Sequence, residues 1–228
     1  MPLTRHSLPR LGSRGQPEKS RAAILQAAAH EFSEQGIAGA RTDSIARAAR
    51  VNKALIYYYF KDKETLYGAV LDHAFAGMKE KVFSVLESDL APRQKLLAYV
   101  GTYFDFIASN PLYPKLMQRE MMRVREGHPE HIDRLVKTYF QPIYVRVGDL
   151  IRKGIAEGEF RKVDPAHFVP SMLGIIIFYF GSAPVMQRIV HFDPLAPARI
   201  AERRAAVLDF ISHALFLSPA HSTRGVRK

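Results

Sequence analysis

At 228 residues, with 47% apolar and 24% charged side chains, the chain is long enough and hydrophobic enough to fold around a real core, which excludes a disordered protein. It has no cysteine, which excludes disulfides, thiolate catalysis and cysteine-ligated metal centres. A net charge of +11 calls for a polyanionic partner, nucleic acid or an anionic membrane, and the excess sits early: through Lys63, eleven Lys and Arg face five acids.

Residues 1–17, MPLTRHSLPRLGSRGQP, mix Pro, Gly, Ser and Arg without an apolar period and predict a flexible basic arm. They hold no apolar run of the length a secretory signal needs, so a cytoplasmic protein is expected. A first helix is expected over 20–34, where Ile24, Ala28 and Phe32 recur four apart and Gly36 supplies the stop. Thr42 reads as the N-cap of a second, short helix, with Asp43 in its first turn and Ile45, Ala48 and Ala49 on one face. Arg50, Val51 and Asn52 interrupt it, Asn52 caps again, and 53–60 makes two further turns. Two short helices about three residues apart have the spacing of a helix-turn-helix.

The stretch VNKALIYYYFKDKETL, residues 51–66, sets four aromatic rings in a row between lysines. On a helical wheel Ile56 and Phe60, with Tyr59 beside them, turn inward toward Ile45, Val51 and Phe32. Lys53 with Tyr57, and Ala54 with Tyr58, lie on the outward flank. Such a flank suits DNA, because ammonium and phenol groups donate to phosphate oxygens and a small residue lets the helix approach base edges. An aromatic-rich helix is more often plain core, but four rings cannot all point inward from one short helix. Asp62 caps the next helix, and Lys63 in its first turn opposes the helix dipole unless a phosphate is held there by free amides and ammonium together.

The segment AARVNKALIYYYFKDKETLYGAVL resembles the DNA-binding region of the tetracycline-repressor (TetR) family, in which a helix-turn-helix is followed by Leu-Tyr-x-Tyr-Phe-x-x-Lys-Glu-x-Leu. Ile56, Tyr57, Tyr59, Phe60, Lys63, Glu64 and Leu66 take those places, and the likeness covers about residues 18–70. Arg50 and Ala54 stand where the family often has glycine, so Arg50 is expected to carry local strain if its φ is positive. The resemblance implies an all-α homodimer: a three-helix DNA-binding domain over 18–63, a ligand-binding and dimerisation domain over 64–217, and a flexible tail over 218–228. It implies that Thr42 and Lys63 hold phosphates. It also implies that Tyr57, Tyr58 and Tyr59 touch backbone with some base contact, and that Lys53, Ala54 and Leu55 face the major groove of a palindromic operator in double-stranded DNA.

Beyond the long helix expected over 63–86, prolines mark helix starts near 92, 112, 129 and 165, with Pro142 a kink and a last helix over 198–217. Residues 168–186 run without a charge for about the ~20 residues a membrane span needs, but two prolines and two glycines interrupt them; a helix buried by protein is expected instead. Leu173 and Ile177 on that helix, with Val207, Phe210, Ile211 and Ala214 on the last one, are the candidate dimer face. Phe104, Met117, Met121, Tyr144, Met172 and Phe178 are candidate walls of an apolar cavity for a small-molecule inducer, although each one taken singly reads more readily as ordinary core. His128 and His131 have a spacing that zinc tolerates, yet Pro129-Glu130 reads as an ordinary helix start and no metal or other cofactor is expected. No GxSxG, HExxH or phosphate-binding glycine pattern points to an enzyme. The function expected is therefore a ligand-responsive repressor. The rival reading is an architectural DNA binder without sequence preference or ligand switch.

Overall fold

A computed structural model describes residues 17–217; the predicted tail over 218–228, and all of the basic arm but Pro17, lie outside the described residues. The described chain is all-α: α1 (Pro17–Gly39), α2 (Thr42–Ala48), α3 (Lys53–Tyr59), α4 (Lys63–Leu86), α5 (Pro92–Ser109), α6 (Leu112–Arg125), α7 (Glu130–Leu135), a π-helical turn (Val136–Phe140), α8 (Gln141–Ala156), α9 (Pro165–Val190) and α10 (Pro197–Leu215). Contacts within the chain divide it into two compact units. The first holds the described residues up to Gly77 together with Asn110–Tyr139, and the second holds Met78–Ser109 and everything from Phe140 onward. The boundary expected between residues 63 and 64 thus falls inside the first unit, because α6 packs directly on α1.

In the first unit α1 runs straight to Gly36, whose φ of 64° and ψ of −179° belong to a region that only glycine enters without strain. Its apolar face, Ile24, Ala28 and Phe32, is fully buried, as are Ile45, Ile56, Phe60 and Leu66 of the same unit, with Val51 nearly so. Phe32 meets Tyr67 edge to face at 5.0 Å, a favourable ring geometry.

The N-cap of α2 is Arg41, not Thr42. Arg41 is extended (φ −114°, ψ 121°), its N–H is taken by Glu31 Oε1 at 2.9 Å, and its carbonyl accepts the first helical bonds from Ser44 and Ile45. Thr42 is therefore the first helical residue, and Arg41 gives α2 no side-chain cap. The two later caps are as expected. Asn52 accepts from Ala54 N–H at 2.9 Å, and Asp62 accepts from Thr65 N–H at 2.7 Å.

In the second unit α5 lies against α8, α9 and α10, and the Arg204 guanidinium grips the Asp105 carboxylate with two bonds of 2.7 and 2.9 Å. The kink expected at Pro142 appears as the π-helical turn just before it. Proline offers no N–H to the preceding turn, and the backbone rewinds there. Only the inner face of α9 is buried, through Val169, Met172, Ile176 and Ala183; it is long and apolar enough to cross a membrane, with 22% of its most apolar window buried. The dimer candidates divide accordingly. Val207 and Ile211 are 1% exposed, turned into the chain's own core, whereas Phe210 is 59% exposed and Ile177 also lies open. Leu173 and Ala214 are half-buried.

The cavity candidates divide as well. Met117 and Met121 belong to the first unit, and Phe104, Tyr144, Met172 and Phe178 to the second. Phe104 and Met172 are buried and Met117 half-buried, but Met121, Tyr144 and above all Phe178, 71% exposed, point out of the chain. An aromatic run on a helix whose other face already fills the core has nowhere inward left to go.

Candidate nucleic-acid interface

The outward surface of α3 is built by what anchors its other side. Ile56 and Phe60 are buried, and Arg21 of α1 lies over the Phe60 ring at 5.4 Å. Tyr59 is half-buried and its hydroxyl donates to Pro17 O at 3.0 Å, so it ties α3 to the start of α1. That leaves Ala54, Tyr57 and Tyr58 exposed and Lys53 and Leu55 half-exposed, with Tyr58 the most open at 79%. Exposed Arg41, Arg47 and Lys61 flank this surface in sequence.

Two contacts lace the first turn of α2 to this flank. Thr42 Oγ1 lies 3.5 Å from the Tyr57 hydroxyl, and the Lys53 ammonium donates to Asp43 Oδ2 at 2.9 Å. The Asp43 hydrogen bond holds the Lys53 ammonium above its ordinary pKa. Sequence reading missed this pairing. The two residues are ten apart, and only the helix-turn-helix geometry brings them together.

Lys63 also has acceptors inside the chain. Its ammonium donates to Ala38 O and Ala40 O, both at 3.2 Å, at the end of α1. α1 carries no cation in its own last turn, so Lys63 serves its dipole and carbonyls from outside. This resolves the misplaced charge at the start of α4. With two of its three N–H groups used, one remains for an outside acceptor.

The turn after α2 closes with Arg50 at φ 57°, which meets the condition under which arginine carries local strain. Val51 N–H reaches back to Ala46 O and Arg50 N–H to Arg47 O, the two bonds of a Schellman closure. Beside it, Ala23, Ala27, His30, Glu34, Ala48 and Arg50 help line an open cleft of about 580 Å³ between α1 and α2.

α6 and α7 grip the same unit. Arg119 donates to Ser33 O and Glu34 O at 3.4 and 2.6 Å, just before the Gly36 break. Glu64 accepts from Arg123 at 3.3 Å and lies 3.1 Å from His131 Nε2, while Arg134 reaches Gly68 O and Asp72. His131 is thus held beside Glu64 with its ring against Tyr67, whereas His128 is exposed beyond the end of α6. Among the described residues no group of three or more metal-capable side chains assembles. Glu120 is 0% exposed beside Tyr67 and Arg123, and burial holds its carboxyl above the ordinary range.

Comparison with known proteins agrees with this geometry. Residues 24–70 match the family described as "Bacterial regulatory proteins, tetR family", and residues 92–211 match "Tetracyclin repressor-like, C-terminal domain". The HTH-type transcriptional repressor SCO4008 of Streptomyces coelicolor is 30% identical over 177 residues, covering 76% of this chain and 84% of that protein. The HTH-type transcriptional repressor NicS of Pseudomonas putida is 35% identical over 106 residues, 46% of this chain and about half (50%) of NicS. The solved structure of SCO4942 from Streptomyces coelicolor superposes with a TM-score of 0.65 at 27% identity, over 86% of this chain and 98% of that one. The three-helix head, the helical remainder and these matches together place the chain in the tetracycline-repressor family of bacterial regulatory proteins.

Proposed function

We propose that the protein is a cytoplasmic, homodimeric repressor that binds a palindromic operator through α3 and is released by a small molecule bound C-terminal to the head. The observation that carries this reading is the outward flank of α3. Lys53, Ala54, Tyr57 and Tyr58 stand open on a helix whose opposite side is locked into a buried core. Exposed phenol hydroxyls on a rigid helix supply phosphate donors, while Lys53 faces the groove and Ala54 permits close approach to base edges. SCO4008 and NicS are both named repressors, which supports the direction of control.

A second copy of the chain is the occupant proposed for the open apolar face of α9 and α10. Phe178, Val185, Ile189 and Phe210 are each more than half exposed, a poor surface for water and a natural four-helix contact across a two-fold axis. The proposed switch runs through α4. Glu64 and Asp72 on that helix are ion-paired to Arg123 and Arg134 on α6 and α7, and Glu64 also lies 3.1 Å from His131, so a ligand that shifts α6 or α7 has a direct hold on the helix that follows the reading head.

Selection of random duplex DNA by the purified protein, followed by sequencing of what is retained, tests the reading. An enriched palindrome is the expected result. Salt-sensitive retention without enrichment would instead establish the architectural binder.

A further inference from the structure

Lys53 is the sole cation on α3, whose sequence is KALIYYY, and it is not free. Its ammonium is held by Asp43 Oδ2 at 2.9 Å, across the turn from the first turn of α2. Both side chains are open to solvent, 43% and 64% exposed, so the pair adds little to the stability of the fold. It also stands on the surface that the reading above assigns to DNA, where a carboxylate repels phosphate. A lysine meant only to neutralise a phosphate would be hindered by such a neighbour. A lysine meant to read a base would be helped, because an ammonium with one N–H committed to a fixed acceptor points its other two in set directions, and guanine N7 and O6 accept only from donors so aimed. The parallel contact between Thr42 and Tyr57, at 3.5 Å, shows the same first turn of α2 reaching the next turn of the α3 flank.

We propose that Asp43 is a specificity-determining positioning residue: it withholds the Lys53 ammonium from the phosphate backbone and aims it at base edges. The proposal rests on the operator-binding reading. Its distinctive claim is that removing a negative charge from the DNA-facing surface makes the protein less selective by strengthening its grip on the wrong sequences.

The test compares the full-length wild type, Asp43→Asn, Lys53→Gln and the double variant, each titrated across a salt series against the enriched palindrome and a scrambled duplex of equal length. Asp43→Asn is expected to tighten scrambled binding by roughly three- to tenfold and to steepen its log–log salt slope by about 1, as one more cation meets a phosphate. The ratio of palindrome to scrambled affinity should narrow by a similar factor. In the Lys53→Gln background the same change should leave slope and ratio where they were. If Asp43→Asn leaves both unchanged in the wild-type background, or shifts them equally with and without Lys53, the positioning role is overturned while operator binding stands. If the wild type enriches no sequence at all, the operator reading fails first and this role falls with it.

Discussion

Arg50 shows how a single residue can be read for strain. Among the described residues, three helices end in Schellman closures: α2 at Arg50, α6 at Gly127 and α8 at Gly158. Two of them use glycine at the left-handed position, with φ of 88° and 72°, and α2 uses arginine at 57°. A side chain there costs about 1 kcal/mol relative to glycine. Arg50→Gly is accordingly expected to stabilise the protein by roughly 0.5–1 kcal/mol in urea denaturation; no gain would mean that contacts of the Arg50 side chain offset the strain. Lys63 and Tyr58 make a contrasting pair. Lys63→Ala removes two carbonyl contacts and should lower stability by about 1 kcal/mol as well as weaken DNA binding. Tyr58→Ala, at a side chain 79% exposed, should weaken binding by about two- to tenfold and leave the melting temperature alone. A fall in both quantities for Tyr58→Ala would show that the tyrosine is structural.

Between elements, the decisive joints are polar and are made by residues far apart in the chain. The end of α1 lacks a cation of its own and receives Arg119 from α6 and Lys63 from α4. Glu120 lies beside that joint. Its carboxyl is pushed up by burial, against the opposing pull of the Tyr67 hydroxyl, His131 and Arg123. A carboxyl whose pKa is raised by folding binds its proton more tightly in the folded chain. It therefore favours folding when protonated, and that contribution is lost as pH rises from the ordinary carboxylate range through the raised value. Glu120→Gln should match the wild type in acid, be more stable than it at neutral pH, and show a flatter stability profile between, as followed by urea midpoints. A variant less stable at neutral pH would show that the pair with Arg123, 3.4 Å away, outweighs desolvation.

On the scale of the whole molecule, the uncovered face of α9 and α10 sets the assembly expected. Phe178→Glu or Phe210→Glu should each remove roughly 2–3 kcal/mol of association free energy and place a charge in the contact. Sedimentation should then show monomers where the wild type gives dimers, with operator affinity falling as the second half-site is lost. Unchanged sedimentation would move the interface elsewhere. The head and its helices were legible from residue spacing. Which residues of the proposed contact face stay open was not legible, because Val207 and Phe210 sit on one apolar stripe in sequence but on opposite sides of the solvent boundary, 1% and 59% exposed.

What the sequence determined by itself was whatever depends on near neighbours. That includes the helix starts at Asn52, Asp62 and Pro92, the break at Gly36, the two-helix spacing around Arg50, and the division of α3 and its cap into inward Ile56 and Phe60 and outward Tyr57 and Tyr58. Propensity, capping and periodicity act within a few residues and leave their mark in the order of the letters. Tertiary structure alone decided where each charge finds its partner. Lys53 meets Asp43, Lys63 meets the carbonyls of α1, and Glu120 is buried on a helix whose composition reads as wet. A charge is stabilised or penalised by whatever packing brings within a few ångströms, and residues ten or more positions away, brought there by the fold, carry no signal in the local pattern.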